Sequence, residues 1–472
     1  MHRREYLKTM AVGSLSASML LDSCQSDSRV QTNAMMNPSI SQRGLAASKS
    51  ILRVDLELYF EAVDNLYHPT ENPTGAFPLN VAENRLAWPL LKKKMEDLAV
   101  QHPIHDWVAN YTDTTGAPTF RKVVAEFQSR FLTRCTIDPD HLCLSPGATS
   151  VIDLSSWILG EPGDVAVFPA PCYPVYRQDI GNKAGLERFD LVTHHELSAL
   201  QDGPLLTVQH LDNAMKQIQQ DGKRFRMLVI TNPDNPTGGM YTKKQLEAYT
   251  DWCLSHNIHL IVNEIYGLSQ IDTKHADISG DYAEPFEFYS FANIIQQKES
   301  DYLHHWYALS KDFGASGFRV GMLYTLNKTF RDAYNNLNAP SMISNYAQWV
   351  FELVLTDHAF VQGYIEANQK MLTENYAATV LLCKKLGIPY APARGSLFVW
   401  LDLSEFLDEN SEENEHHLWS DLYKETGILL TPGDGFGNTK RGQFRLVYSY
   451  MQKDDLLVAL NRLAQYVEQK RS

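Results

Sequence analysis

"RMLVITNPDNPTGGMYTKKQLEAYTDWCLSHNIHLIVNEIYG", residues 226–267, contains a complete strand–helix–strand unit. "RMLVITNP" is a short apolar run closed by Pro and reads as a buried strand. "KKQLEAYTDWCLSHN" has helical periodicity, and "IHLIVNEIY" is a second β-branched run. Two such strands with a helix between them imply parallel neighbours joined by a crossover. The pattern continues outward. "DVAVFPAP" (164–171) is another short buried strand, and "CLSPGATSVIDLSSWIL" (143–159) is a turn running into a helix. The fold class is therefore α/β, with a large domain built on a mostly parallel central sheet. The C-terminal third holds "GSLFVWLDL", a helical stretch, "GILLTPG", "GQFRLVYSY" and a final helix, which suits a smaller α+β domain. "DENSEENEHH" (408–417) reads as a solvated loop whose two histidines lack ligand spacing, and no internal repeat is present.

The chain has 472 residues, 44% of them hydrophobic, enough for a large core. Its net charge of −14 and lack of a long basic run argue against nucleic acid or an anionic membrane surface as partners. Six scattered cysteines form no CxxC pair, so neither a metal site nor a disulfide framework is indicated. The N-terminus, "HRREYLKTMAVGSLSASMLLDSC" (2–24), pairs Arg3 and Arg4 ahead of Tyr6-Leu7-Lys8 and a weakly apolar run. It resembles a twin-arginine export leader, which places the protein in the periplasm or cell envelope. The alternative is the frayed basic start of a cytoplasmic protein. Cys24 follows Leu21-Asp22-Ser23, a degenerate lipidation box, and the apolar run is too short and Ser-rich to span a membrane. Residues 1–24 are thus the leader, and the polar, Ser-rich residues 25–48 a linker.

In a parallel sheet, ligands bind at the carboxyl ends of the strands. Four polar motifs fall there. "SPGATS" puts Gly147, Ala148 and Thr149 at a helix start, where free N–H groups and the helix dipole favour an anion. "NPDNPTGG" sets Asn235 in a rigid turn, and "IVNEIYG" ends a strand with Asn263 and Tyr266. "YALSKDFGASGFRVG" (307–321) holds Lys311 and Arg319. A lysine among apolar and glycine residues is suited to a depressed pKa and Schiff-base chemistry. Each motif alone has a plain structural reading as a turn, a strand cap or a surface charge; their order and spacing together are specific.

Taken together, these residues resemble the fold type I pyridoxal-phosphate enzymes, aminotransferase class I/II, over roughly residues 50–468. Within that family the chain is most similar to the aminocyclopropane-carboxylate synthase branch. "NPTGAFPLNVAENRL" (72–86) carries the AEN motif of that branch, and "SKDFGASGFRVG" is close to its lysine motif. The resemblance implies pyridoxal 5'-phosphate as cofactor and an amino acid as small-molecule substrate. It also implies a homodimer, with a large cofactor domain (91–335) and a small domain drawn from both chain ends (49–90 and 336–472). Lys311 would hold the cofactor as an internal aldimine and then move the substrate proton. Gly147, Ala148, Thr149 and Arg319 would hold the phosphate, Tyr173 would stack on the ring, and Asn235 and Tyr266 would bond its phenolic oxygen. Tyr111 would reach the phosphate of the neighbouring subunit. Arg445 would clamp the substrate α-carboxylate, with Glu83 near the substrate side chain or amino group.

The chain departs from the family pattern at three positions. Asn263 stands where the family has the Asp that faces the ring nitrogen, Ala308 where a phosphate-binding Ser is usual, and Thr114 where the synthase branch often has Tyr. Losing one side of a buried charge pair is worth roughly 3–5 kcal/mol, or about 10²–10⁴ in rate if all of it falls on the transition state. The implied activity is that of an aminotransferase acting on an α-amino acid, retuned by Asn263. The alternatives are a lyase or cyclase working at the β or γ carbon, and a non-catalytic binder that keeps the pocket.

Overall fold

The computed structural model describes residues 39–49, 53–194, 196–200, 203–284 and 286–472. Residues 1–24, read from the sequence as a leader, and most of 25–48, read as a linker, lie outside them. In the described end of the linker, Gln42–Ala47 forms a short helix, with Ser41 Oγ accepting from the Gly44 N–H.

Residues 53–472 carry ten strands: β1 Leu142–Ser145, β2 Val165–Ala170, β3 Glu187–Val192, β4 Phe225–Thr231, β5 His259–Asn263, β6 Leu303–Ala308, β7 Gly321–Thr325, β8 Phe398–Asp402, β9 Thr431–Pro432 and β10 Gln443–Val447. The first seven form one sheet in the order β1-β7-β6-β5-β4-β2-β3. Of these, β7 alone runs the other way, pairing antiparallel with β1 and β6. β4 and β5 pair parallel, Thr231 opposite Asn263. Every residue of β5 and β6 is buried, as expected of strands covered by helices on both faces.

Four helices position the strand ends and their side chains: α1 Gly147–Leu159, α2 Tyr176–Gly181, α3 Lys243–Ser255 and the single turn α4 Leu309–Asp312. α3 shows why the sequence folds as read. Thr242 and Gln245 cap its start reciprocally, and Leu246, Tyr249 and Cys253 form a buried stripe. Each such side chain contributes roughly 1.5–3 kcal/mol on burial. The second sheet, β8-β10-β9, is antiparallel, with Arg445 opposite Trp400 and Thr431.

The acidic run 408–417 is not wholly a loop, because α5 (Glu412–Thr426) begins inside it. Ser411 Oγ accepts from the Asn414 N–H, and acidic residues in the first turn suit the positive end of the helix dipole. Glu415 is buried, its carboxylate accepting from the Gly442 and Asp434 N–H groups.

Candidate active site

The carboxyl ends of β1, β2, β4, β5 and β6 open on a cavity of about 210 Å³. A larger cleft of about 680 Å³ runs beside Arg462 and Tyr466, on helices rather than strand ends.

At the end of β1 the chain turns through Pro146 into α1, whose first residue, Gly147, has φ +80°. A Cβ built there would lie 2.5 Å from Arg319 Cζ, so only glycine lets the guanidinium lie against the helix start. Arg319 donates to the carbonyls of Ser316 (3.0 Å) and Pro146 (3.2 Å). Ala148 and Thr149 line the cavity from the first turn of α1. After β2, Tyr173 lines it too, and burial pushes its phenol up to about 12.

β4 and β5 deliver the middle of the site. Asn235 Oδ1 accepts from Arg445 Nη1 at 2.8 Å, and its Nδ2 donates to Tyr266 Oη at 3.4 Å. Asn263, the last residue of β5, accepts at Oδ1 from the Ile265 N–H (3.2 Å) and donates from Nδ2 to Tyr176 Oη (2.9 Å). From α4, Lys311 Nζ donates to the Ala82 carbonyl at 2.6 Å. Burial, with Arg445 nearby, lowers its pKa to about 8. Arg445, only 1% exposed, reaches in from β10 and also donates to the Asn80 carbonyl (2.8 Å) and Thr431 Oγ1 (3.3 Å). Its Nε is buried and unpartnered, and burial, then the charge of Arg53, lowers its pKa to about 10.

Nine of the twelve residues named from the sequence therefore line one hollow, and a tenth, Gly147, backs it through Arg319. The other two lie apart from it. Glu83 pairs with Arg85 at 2.7 Å and borders a neighbouring cavity with Trp88 and Phe318. Tyr111 is 99% exposed. Of the departures, Ala308 ends β6 without a hydroxyl, but Ser310 lines the cavity two residues on, its hydroxyl buried and unpartnered. Thr114 Oγ1 is spent on the Asn335 carbonyl (2.7 Å). Sequence reading missed Ser310, Arg53, Thr231, Tyr176 and Asp179, all of which line the cavity. Tyr176 and Asp179 sit on the six-residue α2, too short for a readable period, and Arg53 has no local signal either.

The cavity fits pyridoxal 5'-phosphate. The glycine cradle under Arg319 and the orphaned Ser310 hydroxyl suit a phosphate, the half-buried Lys311 with its lowered pKa an aldehyde, and the Tyr173 ring a flat heterocycle. Fold and site define a pyridoxal-phosphate-dependent enzyme of aminotransferase fold type I. Residues 78–463 match the family model of aminotransferase class I and II, and the chain belongs to that family. Among curated proteins it is similar to 1-aminocyclopropane-1-carboxylate synthase 9 of Arabidopsis thaliana, with 31% identity over 418 residues that cover 86% of this chain and 85% of that one. The corresponding synthase of Glycine max is 29% identical over 422 residues, 86% of this chain and 84% of that one. Among solved structures, Thermus thermophilus aspartate aminotransferase with maleate aligns with a TM-score of 0.73 at 18% identity, covering 91% of this chain and 99% of that one. An archaeal alanine:glyoxylate aminotransferase aligns at 0.75 and 16%, covering 91% and 98%.

Proposed function

We propose that the protein takes an α-amino acid, removes its α-proton and completes the reaction at the β or γ carbon, as a lyase or cyclase. The observation that carries the α-proton step is the meeting, in one cavity, of an amine of lowered pKa, Lys311, with the desolvated guanidinium of Arg445; the outcome beyond the α-carbon rests on the relatives. Arg445, its Nε uncommitted, binds the α-carboxylate through charge-assisted hydrogen bonds. With a pKa of about 8, Lys311 is neutral in a useful fraction near pH 7–8 and serves as the proton carrier. Arg319, the start of α1 and Ser310 hold the phosphate, Tyr173 covers the ring face, and Asn235 and Tyr266 orient its oxygen. Pyridoxal 5'-phosphate, when bound, supplies the electron-accepting ring. The relatives support an outcome beyond the α-carbon: their name describes the making of an amino acid whose α-carbon sits in a ring.

Amino transfer is the second reading. Thr114 favours it, since the synthase branch often has Tyr there. Tyr111, fully exposed in one chain, fits a homodimer in which it completes the site of a second copy. Glu83 is kept near Lys311 as a charge at the site's edge.

The test is product analysis by mass spectrometry on a panel of α-amino acids, with the cofactor absorbance followed in parallel. Elimination or ring-closed products support the first reading, and a 2-oxo acid with aminated cofactor supports the second. Lys311→Ala should abolish both turnover and the lysine-linked absorbance while circular dichroism is unchanged; full turnover in that variant would remove Lys311 from the chemistry.

A further inference from the structure

Asn263 is held at both ends of its amide. The Ile265 backbone N–H can only donate, so the atom 3.2 Å from it is Oδ1. The other atom, Nδ2, therefore faces Tyr176 Oη at 2.9 Å. Tyr176 Oη lies 2.9 Å from Thr231 Oγ1, which takes the tyrosine proton when the oxygen accepts from Asn263. Asn263 and Tyr176 are both buried and both line the cavity. What the amide has left for a ligand is one N–H and one oxygen lone pair, and neither carries charge.

We propose that Asn263, oriented by Tyr176, meets the ring nitrogen of the cofactor as an uncharged hydrogen-bond donor, and that this nitrogen stays unprotonated at neutral pH. The rest of the lining supports the same result. Arg445, which lines the cavity without a carboxylate partner, opposes a further proton, while Arg53 is paired with Asp55. Asp179 is the one acidic residue among the described residues that line it. Burial and then neighbouring Asp153 raise its pKa to about 7, so it is a weak source of negative charge; its Oδ2 is buried and unpartnered. Tyr176 cannot supply the charge as a phenolate, because burial raises its pKa above the ordinary tyrosine value. Tyr173 and Tyr266 are shifted the same way by burial. An opposite charge at 4–6 Å moves a pKa by roughly 1–3 units. Without one, the ring nitrogen should titrate lower by about that amount than it does beside a carboxylate.

The inference needs the cofactor in this cavity but not a particular reaction, so its test requires no turnover. The protein is reconstituted with pyridoxal 5'-phosphate carrying ¹⁵N at the ring nitrogen, and the ¹⁵N chemical shift is followed from pH 6 to 9. The wild-type line should lie in the unprotonated range throughout, and so should that of Asp179→Asn. Tyr176→Phe frees the amide and should displace or broaden the line within that range. Asn263→Asp, checked by circular dichroism and thermal midpoint, should carry the line into the protonated range. A protonated wild-type line overturns the proposal; if Asp179→Asn then reverses it, Asp179 takes the role instead. An unprotonated line in cofactor-loaded Asn263→Asp also overturns it, because residue 263 would not then set the state. If Asn263→Asp fails to fold, the wild-type and Tyr176→Phe spectra still decide.

Discussion

Lys311 brings an ammonium group into a cavity where its one hydrogen-bond partner is the Ala82 carbonyl. Its pKa falls from 10.5 to about 8, chiefly through burial. Between pH 8 and 10.5 the unfolded chain binds more protons than the folded one, so the cofactor-free protein gains stability as pH rises through that window. Below pH 8 it carries the whole penalty of the buried charge, of order 3 kcal/mol at about 1.4 kcal/mol per unit. Lys311→Met removes that penalty but leaves the Ala82 carbonyl without its donor, which costs about 1 kcal/mol. The net expectation is a gain of about 2 kcal/mol at pH 7, read as a higher denaturation midpoint of the cofactor-free variant, and a flatter stability profile above pH 8. A lower midpoint at pH 7 would show that Lys311 is not desolvated. Arg445 behaves differently, because its fork rather than its charge is specific. Arg445→Lys keeps the charge and loses the bidentate geometry, so KM for the amino acid should rise by roughly 10–100-fold with a smaller change in kcat. An unchanged KM would place the carboxylate elsewhere.

The N-terminus of α1 depends on Gly147. A side chain there is strained at φ +80° and runs into the Arg319 guanidinium. Gly147→Ala should weaken pyridoxal 5'-phosphate binding at least about 10-fold, measured by equilibrium dialysis, while the cofactor-free fold loses only about 1 kcal/mol. Equal affinity would mean that Arg319 does not need to lie against the helix. This element was legible in the sequence because its signals are local: a strand, a Gly-containing turn and an apolar helical run succeed one another in "CLSPGATSVIDLSSWIL". The same holds for α3 between β4 and β5, and for Lys311 at the end of β6. What was hidden depends on distance or on short elements. Arg53 enters the cavity from a segment more than 200 residues before Lys311, and no spacing rule links them. α2 has six residues, too few for a readable period, so the turn that carries Tyr176 and Asp179 behind Tyr173 went unseen. In α5 the run of charge masked a helix start, because the burial of Glu415 depends on the distant Gly442 and Asp434 N–H groups.

For the whole molecule, the site draws on the N-terminal part of the folded chain as well as on the central sheet and β10. Arg53 and the Asn80–Ala82 backbone, which Arg445 and Lys311 contact, lie a few tens of residues after Arg3-Arg4. If residues 1–24 are the twin-arginine leader they resemble, a route that carries folded proteins would deliver the protein already loaded with cofactor. The thiols are compatible with an oxidising destination: Cys135, Cys143, Cys172, Cys253 and Cys383 are all unpaired, and all but Cys135 are buried. Burial raises the pKa of Cys172, Cys253 and Cys383, which keeps them as unreactive thiols. The prediction is that residues 1–48, fused to a reporter active only when exported folded, carry it across the membrane, and that Arg3→Lys with Arg4→Lys reduces export to background. The full-length protein recovered outside the cytoplasm should then show the absorbance of bound pyridoxal 5'-phosphate without any added cofactor. Equal export from the arginine and lysine leaders would remove the twin-arginine reading. Cofactor-free protein outside the cytoplasm would show that loading does not precede export, and the link between the folded cavity and the route would fail even if the leader works.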